Sequence, residues 1–306
     1  MQLKYFVYYV YSESTGKHYF IDLRKFIKAF CKYDNPSFKA KFIYSNEENM
    51  YLFPVQSNLY IFVMTRDNDI IKTIDKGKAN YNEIYDKLQQ NESLGFASYL
   101  LFTDQLYAFA STTMGPKNNS FVSMVNDIFK SIGLDNYEFM SELLRQKTTK
   151  AEILKLPVIG RTVIEVSRNH KMFDKLSGMF GKDHEIKSFE VIIKPLIKGE
   201  ITKAVKHYVR NEFDEQETKF RVKAKADIDD AFSDYYLVEM GAITDAINSK
   251  DESKLIDLVL EKSGKNEDLK RVIGEFRNGN NFQKSPIQSI NRFNDIHTWA
   301  DTIRDI

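Results

Sequence analysis

Residues 5–11, Tyr-Phe-Val-Tyr-Tyr-Val-Tyr, consist wholly of aromatic and β-branched side chains, a composition that favours a strand and leaves no polar face for a surface helix. Four more short runs of this kind follow at 40–44, 50–53, 59–64 and 97–102, separated by Asn, Asp, Ser and Gly. Such spacing describes an antiparallel meander. Helical spacing interrupts it at 23–33 and again at 80–89, where Tyr81, Ile84, Tyr85 and Leu88 fall three and four residues apart. Strand and helix are therefore mixed, and the expected class is α+β rather than a pure sandwich.

After the Gly115-Pro116 turn signal the spacing predicts helices at 121–132, 137–145 and 150–156. A second strand-rich block follows, with strands at 159–166 and 189–193 around a short helix at 172–179, then a helix at 200–210 and a strand at 219–226. From residue 253 onward Leu255, Leu258, Val259, Leu269, Val272, Ile273 and Phe276 recur at helical spacing. The expected architecture is antiparallel sheets with packed helices in two lobes: an N-terminal α+β lobe over 1–156 and a basic α+β lobe over 157–250. A helical C-terminal appendage over 251–306 completes it. An acidic connector at 211–217 precedes the last strand of the basic lobe.

With 306 residues, 42% of them hydrophobic, and only 13 Gly and 6 Pro, the chain is too apolar and too poor in breakers for disorder or a collagen-like fibre. It has no run of about 20 apolar residues that could span a membrane. Its first residues lack the charged start and cleavage site of a signal peptide, so the expected location is the cytoplasm. One cysteine, Cys31, excludes an intramolecular disulfide and reads as an inert core thiol. The five histidines, at 18, 170, 184, 207 and 297, include no pair at helical metal-ligand spacing, and no P-loop is present. Asp227, Asp229, Asp230 and Asp234 could supply a nuclease's metal carboxylates, yet such a cluster reads more simply as a solvated turn. No catalytic residue, cofactor or metal is expected. A metal-dependent nuclease or toxin effector is the alternative to a binding protein without chemistry of its own.

The net charge of +1 conceals an uneven distribution. Residues 194–225 hold nine basic against five acidic side chains, whereas 226–306 hold ten against sixteen. Lys203, Lys206, His207 and Arg210 share one face of the expected helix, opposite an apolar stripe of Ile201, Ala204, Val205 and Tyr208. The strand then alternates with period two. Lys219, Arg221, Lys223 and Lys225 fall on one side, and Phe220, Val222 and Ala224 on the other. Edge strands use lysine to block aggregation, but four cations at about 7 Å intervals beside a basic helix suit a phosphate backbone better. Arg161 either touches phosphate or pairs an acid such as Glu165. Gly95 and Gly160 are expected to permit turns or close strand approach.

Residues 92–100 (Glu-Ser-Leu-Gly-Phe-Ala-Ser-Tyr-Leu), Gly115-Pro116, Ile159-Gly160-Arg161-Thr162, 191–195 (Val-Ile-Ile-Lys-Pro), Ala224-Lys225, Tyr236-Leu237 and Gly241 occur in an order and spacing that resembles the RexA-like phage-exclusion proteins of lambdoid prophages. The resemblance runs from about residue 1 to 245 and fades in the last 60. It implies a homodimeric cytoplasmic protein that binds double-stranded DNA without strong sequence preference. The implied role is the intracellular sensor of abortive infection, acting with a RexB-like membrane partner. The family's basic strand reads Leu-Arg-Ala-Lys, and its two cations match Lys223 and Lys225. Lysine in place of arginine keeps the charge and loses the bidentate fork, which matters little where charge rather than base readout carries binding. Arg221 lies two residues earlier on the same face.

Overall fold

The computed structural model describes the chain apart from residues 45–47, 66–71, 76–79, 84–94, 113, 182–184, 197–198, 214–217, 231, 239, 248–251, 267, 280–281, 283–287 and 304–306. The fold is α+β and divides into two compact units, Met1–Glu142 with Ile256–Ile306, and Leu143–Leu255.

The first unit begins with β1 (Gln2–Ser12), β2 (Lys17–Tyr19), α1 (Leu23–Lys32) and α2 (Pro36–Ala40). It continues through β3 (Met50–Gln56), β4 (Leu59–Thr65), β5 (Lys72–Asp75), β6 (Asn80–Glu83), β7 (Gly95–Phe102), β8 (Leu106–Ser111), α3 (Asn118–Ser131) and β9 (Tyr137–Leu143). Strands β1, β8, β7, β4 and β3 lie in that order with every neighbour antiparallel, and β2 and β9 also pair with β1. Aromatic side chains knit the core: Phe121 packs edge-on against Tyr107 at 5.4 Å and Phe62 at 5.7 Å, and Phe26 of α1 meets Phe129 of α3 at 5.3 Å. Two glycines allow close approach here. A Cβ on Gly95 would lie 2.8 Å from Val63, and one on Gly115 2.5 Å from the Ala97 carbonyl oxygen.

Three expected elements differ. Residues 40–44 are not a strand: Asn35 accepts from the Phe38 N–H at 2.9 Å and Pro36 opens α2, so Phe38 enters the core from a helix while Ile43 makes only an isolated bridge to Asn49. The helix expected at 80–89 is a strand at its start, β6, paired with β5; residues 84–89 lie outside the described part, as do 92–94 of the RexA-like pattern. Residues 137–143 form β9 and Arg145–Gln146 a further short strand, rather than a helix. The Asn126 side chain of α3 stands in for a neighbouring strand there, accepting from the Phe139 N–H at 2.7 Å and donating to its carbonyl at 3.1 Å. Strand β8 carried no distinct signal, since Ala108 and Ala110 lack β propensity and are set by burial at the sheet centre.

The second unit comprises β10 (Arg145–Gln146), α4 (Lys150–Lys155), β11 (Val158–Ser167), α5 (Phe173–Gly178), β12 (Ser188–Ile193), α6 (Thr202–Asn211), β13 (Thr218–Lys225), β14 (Ser233–Tyr236), β15 (Gly241–Ala242) and β16 (Thr244–Ala246). Four strands form an antiparallel sheet in the order β12-β11-β13-β14. Its inner face buries Ile164, Phe220, Val222 and Ala224 against Ile153 of α4 and Val205 and Val209 of α6.

The last residues form α7 (Glu252–Lys265), α8 (Asp268–Gly279), α9 (Gln288–Asn291) and α10 (Ile296–Thr302). Residues 256–306 fall within the first compact unit. Trp299 is fully buried 5.2 Å from Phe26 and 6.0 Å from Phe30, and its Nε1 donates to the Phe293 carbonyl at 2.8 Å. Helical periodicity reveals an apolar stripe but not the core it enters. Among the described residues no helix is long and apolar enough to cross a membrane.

Candidate nucleic-acid interface

The alternation of β13 is realised in full. Phe220, Val222 and Ala224 are at most 1% exposed, and Lys219, Arg221, Lys223 and Lys225 point to the opposite face, away from the helices. Strand β13 is paired by β11 on one side and β14 on the other, so it is not an edge. Protection against edge-to-edge aggregation therefore does not explain its cations.

The four cations differ in what holds them. Lys219 Nζ lies 3.2 Å from Glu165 Oε2, directly across on β11, and its hydrogen bond holds the Glu165 carboxyl below the ordinary carboxylate range. Arg221 faces Tyr236 of β14, with the guanidinium carbon 5.9 Å from the ring centroid, and a hydrogen bond to Tyr236 raises its pKa further. The Tyr236 ring in turn rests on Gly241, where any Cβ would collide with it. Lys225 donates to the Ile228 carbonyl at 2.7 Å and sits 5.5 Å from the Phe232 ring centroid. Lys223 stands opposite Asp234 and, among the described residues, forms no ion pair within 4 Å.

Arg161 joins the row. Gly160 is the extra residue of a bulge in β11, and this shift of register sets Arg161 opposite Lys223 on the cationic face. A side chain at Gly160 would press on the Phe232 ring, 2.8 Å from the nearest carbon. Glu165 is engaged by Lys219, and the buried Arg161 Nε has no hydrogen-bond partner among the described residues.

Helix α6 is tied to β11 at its start: the Ile159 N–H donates to Thr202 Oγ1 at 2.8 Å, and the Ile201 N–H to the Ile159 carbonyl at 2.8 Å. Because α6 packs on the inner face through Val205 and Val209, Lys203, Lys206 and Arg210 lie on the helix side of the sheet. The β13 row lies on the other side. The structure thus gathers Lys219, Arg221, Lys223, Lys225 and Arg161 on one surface and leaves the three α6 cations on another. Residues 214–217 of the acidic connector lie outside the described part.

The profile of the RexA family, described as the intracellular sensor of lambda phage and an Abi component, matches residues 1–232 of this chain. The chain belongs to the RexA family. It is 26% identical over 213 residues to protein rexA of Escherichia phage lambda, an alignment that covers 68% of this chain and 75% of that protein. The same figures hold for protein rexA of Enterobacteria phage 434. The RexA-family match includes the whole of β13 and the Gly160 bulge and stops before α7–α10.

Asp227 and Cys31 of this RexA-family chain make local contacts. Asp227 builds a turn, accepting from the Ile228 N–H at 2.6 Å through its side chain and from the Asp230 N–H at 3.1 Å through its carbonyl, while Asp234 sits apart on β14. Among the described residues no three His, Cys, Asp or Glu side chains are grouped to hold a metal ion. Burial pushes the Cys31 thiol up to about 12, and its Sγ approaches the Leu52 carbonyl at 3.7 Å.

Proposed function

We propose that this RexA-family chain is a cytoplasmic sensor of a phage-exclusion system that binds double-stranded DNA through its phosphate backbone, as a homodimer, with a RexB-like membrane protein as its partner. The observation that carries the DNA reading is the row Lys219, Arg221, Lys223 and Lys225 on an interior strand. Pairing on both sides fixes the backbone, so the cations are presented at about 7 Å intervals with little ordering cost left to meet on binding. Phosphates supply attraction without sequence information, and a lysine-rich row has few means of reading base edges. Arg161, beside Lys223, adds a planar donor fork to the same surface. The α6 cations Lys203, Lys206 and Arg210, on the far side of the sheet, would meet a different stretch of DNA or none.

Electrophoretic shifts of unrelated duplexes across a salt series test this. Similar affinity for each, with a log–log slope of roughly −3 to −5 for four or five engaged cations, is the expected result. A flat salt response, or strong preference for one duplex, would contradict it. Plasmid incubated with Mg²⁺ or Mn²⁺ should remain intact; degradation would favour a nuclease instead.

A further inference from the structure

Strand β12 is an outer strand of the second unit's sheet. Its one neighbour is β11, and among the described residues no backbone group of Ser188–Ile193 bonds to anything on the other side. Natural edges are usually blunted by lysine, proline or a bulge within the strand. This one is apolar. Ile192 is 42% exposed and Ile193 40%, and just beyond the strand Leu196 is 90% exposed.

The order of charges indicates what fits. Glu190 and Ile192 lie on the same face as the β13 cations, and Lys194, just past the strand and kept extended by Pro195, continues the alternation. Glu190 stands directly opposite Glu165, whose carboxylate is engaged by Lys219; Glu190 itself has no salt bridge among the described residues. We infer that β12 pairs antiparallel with β12 of a second copy of this chain about a twofold axis at Ile192, so that Glu190 of each copy meets Lys194 of the other. Moving the axis by one residue would set Ile192 against Lys194 or against Glu190, losing both pairs. At the central register Phe189 opposes Pro195, which brings Phe180, stacked 5.7 Å from Phe189 and 59% exposed, against the Leu196 of the other copy.

This surface rests on the homodimer reading above and deepens it. A twofold axis normal to the sheet turns the cationic faces of both copies to the same side. Five inter-strand steps separate the two β13 rows, about 24 Å, so one duplex can engage both rows and gain from their linkage.

Cysteine cross-linking of the full chain tests the register. Paired Cα atoms at an antiparallel dyad are about 4.5–5.5 Å apart, within disulfide range, so oxidised Ile192→Cys should run as a covalent dimer. Glu190→Cys and Lys194→Cys should each fail to cross-link alone and should cross-link when mixed. Glu190→Lys should raise the dimer dissociation constant roughly 10-fold, and combining it with Lys194→Glu should restore it. A chain that is dimeric by light scattering yet does not cross-link through residue 192 overturns this surface and leaves the homodimer reading standing. A chain of 35.8 kDa at micromolar concentration overturns both.

Discussion

Lys219 Nζ and Glu165 Oε2 lie 3.2 Å apart across the β11–β13 ladder, so one end of the cationic row is already neutralised within the protein. Glu165→Gln should release Lys219 toward phosphate, tightening DNA binding and steepening the log–log salt slope by up to about 0.9. The pair is largely exposed, so stability should change by no more than about 1 kcal/mol. Lys219 holds the native Glu165 carboxyl below its ordinary 4.5. The pair's contribution is therefore present above that pH and is lost as pH falls through the lowered native value. Urea unfolding across acid pH should show this component in the parent and not in Glu165→Gln.

Gly241→Ala should destabilise the protein by about 1–3 kcal/mol, because a Cβ there must displace the Tyr236 ring that faces Arg221. Thermal unfolding measures the loss. Gly178→Ala is the control: a Cβ there meets nothing within 4 Å, and alanine favours the helix.

Trp299→Ala should cost about 3–5 kcal/mol, since its ring fills the first unit's core between Phe26 and Phe30. A helical appendage without a share in that core would unfold at its own lower temperature and leave the main transition unmoved. Calorimetry distinguishes one shifted transition from two.

Cys31 should react with a thiol reagent at neutral pH only as the protein unfolds, because burial raises its pKa to about 12 and leaves little thiolate in the native state. Reaction of native protein as fast as that of urea-unfolded protein would contradict this placement.

The α+β class and most elements were legible because aromatic and β-branched runs and helical stripes report local geometry. The β13 row was legible for the same reason: strict alternation from Lys219 to Lys225 reflects a strand with one buried face. What the sequence did not reveal depends on neighbours far along the chain. Strand β9 looks helical until Asn126 supplies its partner groups, and Trp299 carries no mark of the core it enters. Arg161 joins the site only through a register shift at Gly160, and α6 is separated from the row only once Val205 and Val209 are seen to face Phe220 and Val222. Glu165 and Tyr236, which hold two of the four cations, lie on other strands and so were not legible from β13 alone.

The most direct measurement is the salt dependence of duplex binding by Lys223→Ala with Lys225→Ala. Both side chains leave the face opposite Phe220, Val222 and Ala224, so removing them empties no core and should change stability by no more than about 0.5 kcal/mol each. Phe220→Ala, by contrast, should cost about 3 kcal/mol or more. The double variant should bind unrelated duplexes uniformly more weakly, with a salt slope reduced by roughly 2. A folded double variant that binds with the parent's affinity and slope would contradict the assignment of the β13 face to DNA.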